Sequence, residues 1–255
     1  MFSWLKKRHR QNLLASPIPD GWQSLLEAVG HYQLLDTADR SKLRDATRIF
    51  IEEKTFEGCG GLEVTEAMRV TIAALASILI LGLDDFYFDN VQTILVYPSG
   101  FVVPQQKPIG GDVALETESE NLGEAHYRGP IILSWDEVDD AARHPGHGSN
   151  LVFHEFAHQL DMLNGDADGV PSLPKDLRSR WEKVMGREYD RLCKSADRGR
   201  QTLIDPYGAT NPAEFFAVIT ESFFDQPQEL RAEHPDLYQV LSSYYHQDPA
   251  AWPWQ

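Results

Sequence analysis

The sequence predicts an α+β fold in which a small sheet packs against helices, and three observations carry that reading. Val70 to Leu83 is a long apolar run broken by Thr71 and Ser77, the mark of a buried helix. Short runs rich in β-branched residues occur at Val91–Val96, Phe101–Val103 and Ile131–Trp135, set off by turn residues such as Pro98-Ser99-Gly100. Two further apolar segments, around Leu151–Leu163 and Asn211–Phe224, have helical punctuation at their ends. With 255 residues, 42% of them hydrophobic, the chain can bury a sizeable core. The expected organisation is an N-terminal helical region, 1–88, packed on a region 89–255 that carries the chemistry.

In chain order, Lys6 to Arg10 is a basic cluster with no apolar stretch after it, so it is not a secretory signal and reads as a frayed, solvated terminus. A helix is expected from Thr65 to Gly82, with Thr65 capping its first amides. It falls short of the roughly 20 apolar residues a bilayer span needs, so no membrane segment is expected. Strands follow at Val91–Val96 and Phe101–Val103. A loop follows through Gly110-Gly111 and the acid-rich span 116–124, and then a strand at Ile131–Trp135. Arg178 to Cys193, with Trp181, Val184, Met185 and Tyr189 spaced for one face, reads as helix. Helices over 211–224 and 235–245 complete the chain, and the aromatic tail Trp252-Pro253-Trp254 reads as folded back on the core.

The formal net charge of −16 excludes a general nucleic-acid binder, which needs a basic face. Cys59 and Cys193 stand far apart with no C-x-x-C pattern, so the expectation is no disulfide framework and a cytoplasmic setting.

The chemistry-bearing motif is His154-Glu155-Phe156-Ala157-His158. On a helix, residues four apart share a face, so both imidazoles can reach one metal ion. Zinc takes neutral imidazole nitrogens, and Glu155 stands beside the first histidine, where it can accept the proton of an attacking water. The pattern points to metal-assisted hydrolysis of an amide or ester. Asn150 or Ser149 can cap this helix, and Gly165 can close it in the left-handed conformation. Asp161, on roughly the same face, reads either as the acid holding the far nitrogen of a ligand histidine or as a solvated acid in the last turn.

A catalytic zinc needs a third protein ligand. Asp161 and Asn164 stand where a compact H-E-x-x-H-x-x-G-x-x-H site would have its glycine and third histidine, so that form is excluded. Glu214 is the leading candidate, in an apolar helix that also carries Glu221. Asn211, Pro212 and Glu214 equally spell a capping box, and Glu221 remains a rival ligand or an acid behind the ligands. His144 and His147 flank a Pro-Gly loop near the motif and read as loop residues, as substrate contacts or as transient occupants of the open metal position.

Phe153 to Asp161, together with Tyr207 and the run Asn211 to Phe216, resembles the Mlc titration factor A family of zinc metallopeptidases. More distantly it resembles the catalytic domain of anthrax lethal factor; both are glutamate-type zincins. Met1 to Leu5, Gly60 to Thr65 and Leu133 to Asp136 fit the same family, so the resemblance spans nearly the whole chain. It implies a zincin-like fold with one zinc ion per chain, held by His154, His158 and Glu214. It further implies Glu155 as general base and Tyr207 as the donor that stabilises the oxyanion, where Tyr207 by itself reads as a loop tyrosine. The strand before the metal helix would lie at the edge of the cleft. Aminopeptidase-like action on short peptides is implied, as is a regulatory partner, a transcriptional repressor of the Mlc type. The alternative expectation is a mainly non-catalytic protein that sequesters that repressor.

Overall fold

The computed structural model describes residues 2–99 and 129–254. Helices α1 (Phe2–Ala15), α2 (Trp22–Glu27), α3 (Gly30–Leu34) and α4 (Thr37–Glu53) precede the first strand. The basic cluster at the N-terminus is therefore part of a helix, not a frayed end. Arg10 makes a two-pronged contact with Glu53, at 2.7 and 2.8 Å, and both Lys6 and Arg10 reach Asp89 at 2.7 Å. Arg48 donates to the Leu13 and Ser16 carbonyls and so holds the C-terminal end of α1. Helix α4 starts at Asp36, whose side chain accepts from the Asp39 amide, an N-cap of the usual kind.

The sheet has three described strands, β1 (Thr55–Gly58), β2 (Thr93–Tyr97) and β3 (Ile131–Ser134), in the order β1-β2-β3. All are parallel, with Phe56, Ile94 and Ile131 in register. Parallel neighbours need a crossover. Between β1 and β2 it contains α5 (Glu66–Ile78), the expected apolar helix. Thr65 caps α5 by accepting from the Met68 amide at 3.2 Å, and the helix stops at Ile78, short of the expected Gly82. Replacing Thr65 by Ala should cost about 1 kcal/mol, because the amide loses its acceptor. Urea unfolding of the two proteins measures this, and equal midpoints would show that the cap contributes nothing.

Strand β2 begins two residues later and ends one residue later than the expected Val91–Val96, and it alternates, burying Ile94 and Val96. The strand over Ile131–Trp135 ends one residue early, because Trp135 begins α6 (Trp135–Arg143), whose first turn carries Asp136 and Glu137. Acids there complement the positive end of the helix. The expected strand Phe101–Val103, the Gly110-Gly111 turn and the acid-rich span 116–124 lie outside the described residues.

Next come α7 (Leu151–Asp161), α8 (Lys175–Ala196), α9 (Pro212–Asp225), α10 (Pro227–Glu233) and α11 (Pro235–Tyr245). Helix α8 is three residues longer at each end than the sequence suggests, and α11 has the expected bounds. One hydrophobic cluster runs from Trp22 to Ala250, so residues on both sides of position 88 share it. Phe156, on α7, meets Phe50 of α4 at a ring-centroid distance of 5.5 Å and Phe88 at 4.7 Å. This aromatic contact fixes the back of α7 and turns its other face toward α9. The tail folds back, with Trp252 6.2 Å from Phe224 and Trp254 edge-on to His31. Cys59 and Cys193 are free thiols. Among the described residues no helix is long and apolar enough to cross a membrane.

Candidate metal centre

Helix α7 begins where Asn150 accepts from the Phe153 amide and ends in a 3-10 turn, Met162–Asn164, closed by Gly165 at φ 103°. Both signals are legible in the sequence. The loop before it passes close to Gln226. Gly148 has φ 81°, a left-handed conformation that a residue with a side chain adopts only with strain, and a Cβ there would also fall 2.5 Å from the Gln226 side-chain oxygen, which would have to move. Helix α9 begins at Asn211, whose side chain accepts from the Glu214 amide at 2.9 Å, with Pro212 in the first turn.

Only half of the sequence's capping box is used in that way. The Glu214 carboxylate turns to the facing helix, 3.0 Å from His154 Nε2 and 3.5 Å from His158 Nε2. The two imidazole Nε2 atoms are 3.2 Å apart. Among the described residues these three form the group of side chains able to share one metal ion.

The donor set fits zinc on two counts. Donors bonded to a tetrahedral zinc at about 2.05 Å lie about 3.3 Å from one another, and the three separations here bracket that value. The electrostatics agree. Burial would lower the His154 imidazolium, but hydrogen bonds to Glu214 and Glu221 push it up to about 10. Burial would raise the Glu214 carboxyl, yet hydrogen bonds from His154 and His158 hold it at about 2. A cavity that draws a proton this strongly onto an imidazole is one that favours a cation, and a dication between the same atoms satisfies it without that proton.

The far nitrogen of His154, Nδ1, faces Glu221 Oε1 at 2.8 Å, and the other oxygen of Glu221 accepts from the Asn150 amide at 2.7 Å. Glu221 therefore stands behind a candidate ligand. Asp161 holds no histidine nitrogen among its hydrogen bonds, and it is not solvated either. It is fully buried, with one oxygen accepting from the Gly169 amide at 2.8 Å, and burial pushes its carboxyl up to about 7. Its work is to pin the loop after α7. Seven residues along a helix is nearly two full turns, so Asp161 shares the stripe of His154 but lies about 10 Å further along the axis, where its partner is the amide of Gly169 in the following loop.

Glu155 and Tyr207 line a cavity of ≈ 330 Å³ beside the centre, together with Leu151, Val218, Glu137 and Asp205. Tyr207 is 55% exposed on the 3-10 turn Pro206–Ala209, where Asp205 accepts from its amide, and its ring lies 6.1 Å from that of His154. Burial, with the charges of Glu214 and Glu155, raises its phenol above the usual value, so it keeps its proton. Sequence reasoning assigned no part to Glu137 or Asp205. Asp205 has a local signal, an acid ahead of Pro206, whereas Glu137 has none. His144 and His147 stack on one another at 5.7 Å, His144 pairs with Asp140, and neither belongs to the ligand group.

Two imidazoles one helical turn apart, joined by a carboxylate from a second helix beside an open cavity, form a donor set of the kind that metal-dependent hydrolases use. Residues 4–246 match the family described as glucose-regulated metallo-peptidase M90, and the chain belongs to that family. It is 33% identical to Mlc titration factor A of Serratia proteamaculans over 98% of this chain and 95% of that protein. Identity to Mlc titration factor A of Klebsiella pneumoniae is 31%, over 90% of this chain and 87% of the relative. An uncharacterized protein of Synechocystis is 41% identical over 96% of this chain and 90% of its own length.

Proposed function

We propose that the protein is a zinc-dependent peptidase of aminopeptidase-like action on short peptides, with His154, His158 and Glu214 holding the ion. The observation that carries this reading is the convergence of those three donor atoms on one point, one of them, His154, lining a cavity that Glu155 and Tyr207 also line. A bound zinc supplies Lewis acidity, polarising a carbonyl and lowering the pKa of water to about 7. Glu155 accepts the proton of the attacking water and passes it to the leaving amine. Tyr207, protonated, donates to the oxygen that gains charge in the tetrahedral intermediate. A peptide backbone can lie along β3, an edge strand among the described strands, which recognises chain direction rather than sequence.

The test combines metal analysis of the purified chain with cleavage of a short-peptide library in the presence and absence of a chelator. Zinc near one per chain and chelator-sensitive cleavage support the reading, and cleavage untouched by metal removal sinks it.

The name shared by the two enterobacterial relatives favours a second reading, in which the chain binds a transcriptional repressor of the Mlc type. The two readings predict different responses to Tyr207→Phe, which removes one half-exposed hydroxyl and little packing. Peptide cleavage should fall by about 100- to 1,000-fold, the usual cost of losing one oxyanion donor. Repressor binding, if it uses another surface, should be unchanged. Equal loss of both would make the cleft itself the docking surface.

A further inference from the structure

Glu221 is a buried acid that neither metal ligation nor proton transfer requires. It lies on α9 seven residues after Glu214, on nearly the same stripe, and only 6% of it is exposed. Both of its oxygens are engaged across the helix interface. Oε1 meets His154 Nδ1 at 2.8 Å, and Oε2 accepts from the Asn150 amide at 2.7 Å. Asn150 is the residue whose side chain caps α7. A single carboxylate therefore fixes the first turn of the metal-bearing helix and the ring plane of its first histidine together.

We infer that Glu221 is the positioning residue of the metal centre: it keeps the hydrogen of His154 on Nδ1 and turns the Nε2 lone pair toward the ion. The inference rests on the metal-centre reading above. A carboxylate can only accept, so the nitrogen facing it must donate, and a neutral imidazole then has Nε2 alone free to bind a metal. Anchorage through the Asn150 amide stops the carboxylate from swinging toward the ion, where it would compete with Glu214. Asp161, the last residue of α7, cannot substitute, because its hydrogen bonding goes to the following loop.

Glu221→Gln separates this role from simple helix docking. The amide oxygen can still accept from His154 Nδ1, but the amide nitrogen then faces the Asn150 N–H, donor against donor. In the opposite orientation the mismatch moves to the histidine. Either way one of the two contacts is lost while volume is kept. The full chain and its Glu221→Gln variant, stripped of metal and checked for fold by circular dichroism, are titrated with zinc against a chelator and with cobalt(II) by visible absorption. Zinc affinity should drop by roughly 10–100-fold, the usual effect of losing a group that orients a ligand, and the cobalt bands should shift. A folded variant with zinc affinity within about threefold of wild type and an identical cobalt spectrum overturns the proposal while leaving the metal centre standing. Wild-type protein that binds no zinc removes the centre and this role together. Should the variant not fold, nitrogen-resolved NMR of zinc-loaded wild type decides: His154 must carry its proton on Nδ1, and a proton on Nε2 refutes the assignment.

Discussion

Glu155→Gln should leave the protein folded and metal-loaded while lowering peptide turnover by at least about a hundredfold, the lower range for a general base. The substitution keeps length and volume, and Glu155 is outside the group of atoms able to share the ion, so metal content has no reason to change. What it removes is the ability to take a proton from water and return it to the amine. An amide has nearly the same shape and no comparable basicity. The assay is steady-state hydrolysis of short peptides, with zinc content measured on the same samples. Cleavage near the wild-type rate would place proton transfer elsewhere, and Tyr207 as donor would no longer have a base to work with. Loss of zinc in parallel would show that Glu155 acts on the ion's environment and not on the reaction.

Local signals made α7 and α9 readable, because their ends are written in adjacent residues. Asn150, Gly165, Asn211 and Pro212 all do in the structure what their side chains or backbone freedom suggest. Thr65 does the same for α5. Strand β1 was not readable. Its Thr-Phe-Glu-Gly sequence sits at the edge of the described sheet with only Phe56 partly buried, so it lacks the alternation that marks a half-buried strand. Helix α6 was obscured because Trp135 extends the apolar run of β3 before the acids begin. The N-terminal basic cluster misled for a different reason. Its partners, Glu53, Asp85 and Asp89, are about 40 to 80 residues away, and composition alone cannot place them.

The candidate site divides in the same way. His154 and His158 are fixed by spacing along one helix, a property any reader of the sequence can compute. Glu221 and Asp161 trade expectations because their partners are set by how two helices cross, and the contact between His154 and Glu221 joins residues 67 apart. Glu214 lies between these cases. Its capping pattern is local and is half realised, while its carboxylate is directed by the tertiary approach of α7.

That division makes Glu214→Gln the sharpest test of the centre. Glutamine also serves in a capping box, and the cap observed here runs from the Glu214 amide to the Asn211 side chain, which the substitution leaves in place. A residue needed only as a cap should therefore tolerate the change, with zinc content and unfolding midpoint both retained. As a ligand, Glu214 supplies the negative charge of the donor set, and its carboxyl is held at about 2 because the two histidines favour the ionised form. An amide oxygen brings neither that charge nor comparable affinity for a dication. The expected result is a fall in zinc affinity larger than the roughly 10–100-fold typical of residues behind the ligands, with far-ultraviolet circular dichroism unchanged and peptide cleavage abolished at limiting metal. Zinc stoichiometry that survives chelator competition as well as wild type would transfer the third ligand to another residue. Glu221 would be first in line, already 2.8 Å from the far side of His154, and its positioning role would then have to be given up as well.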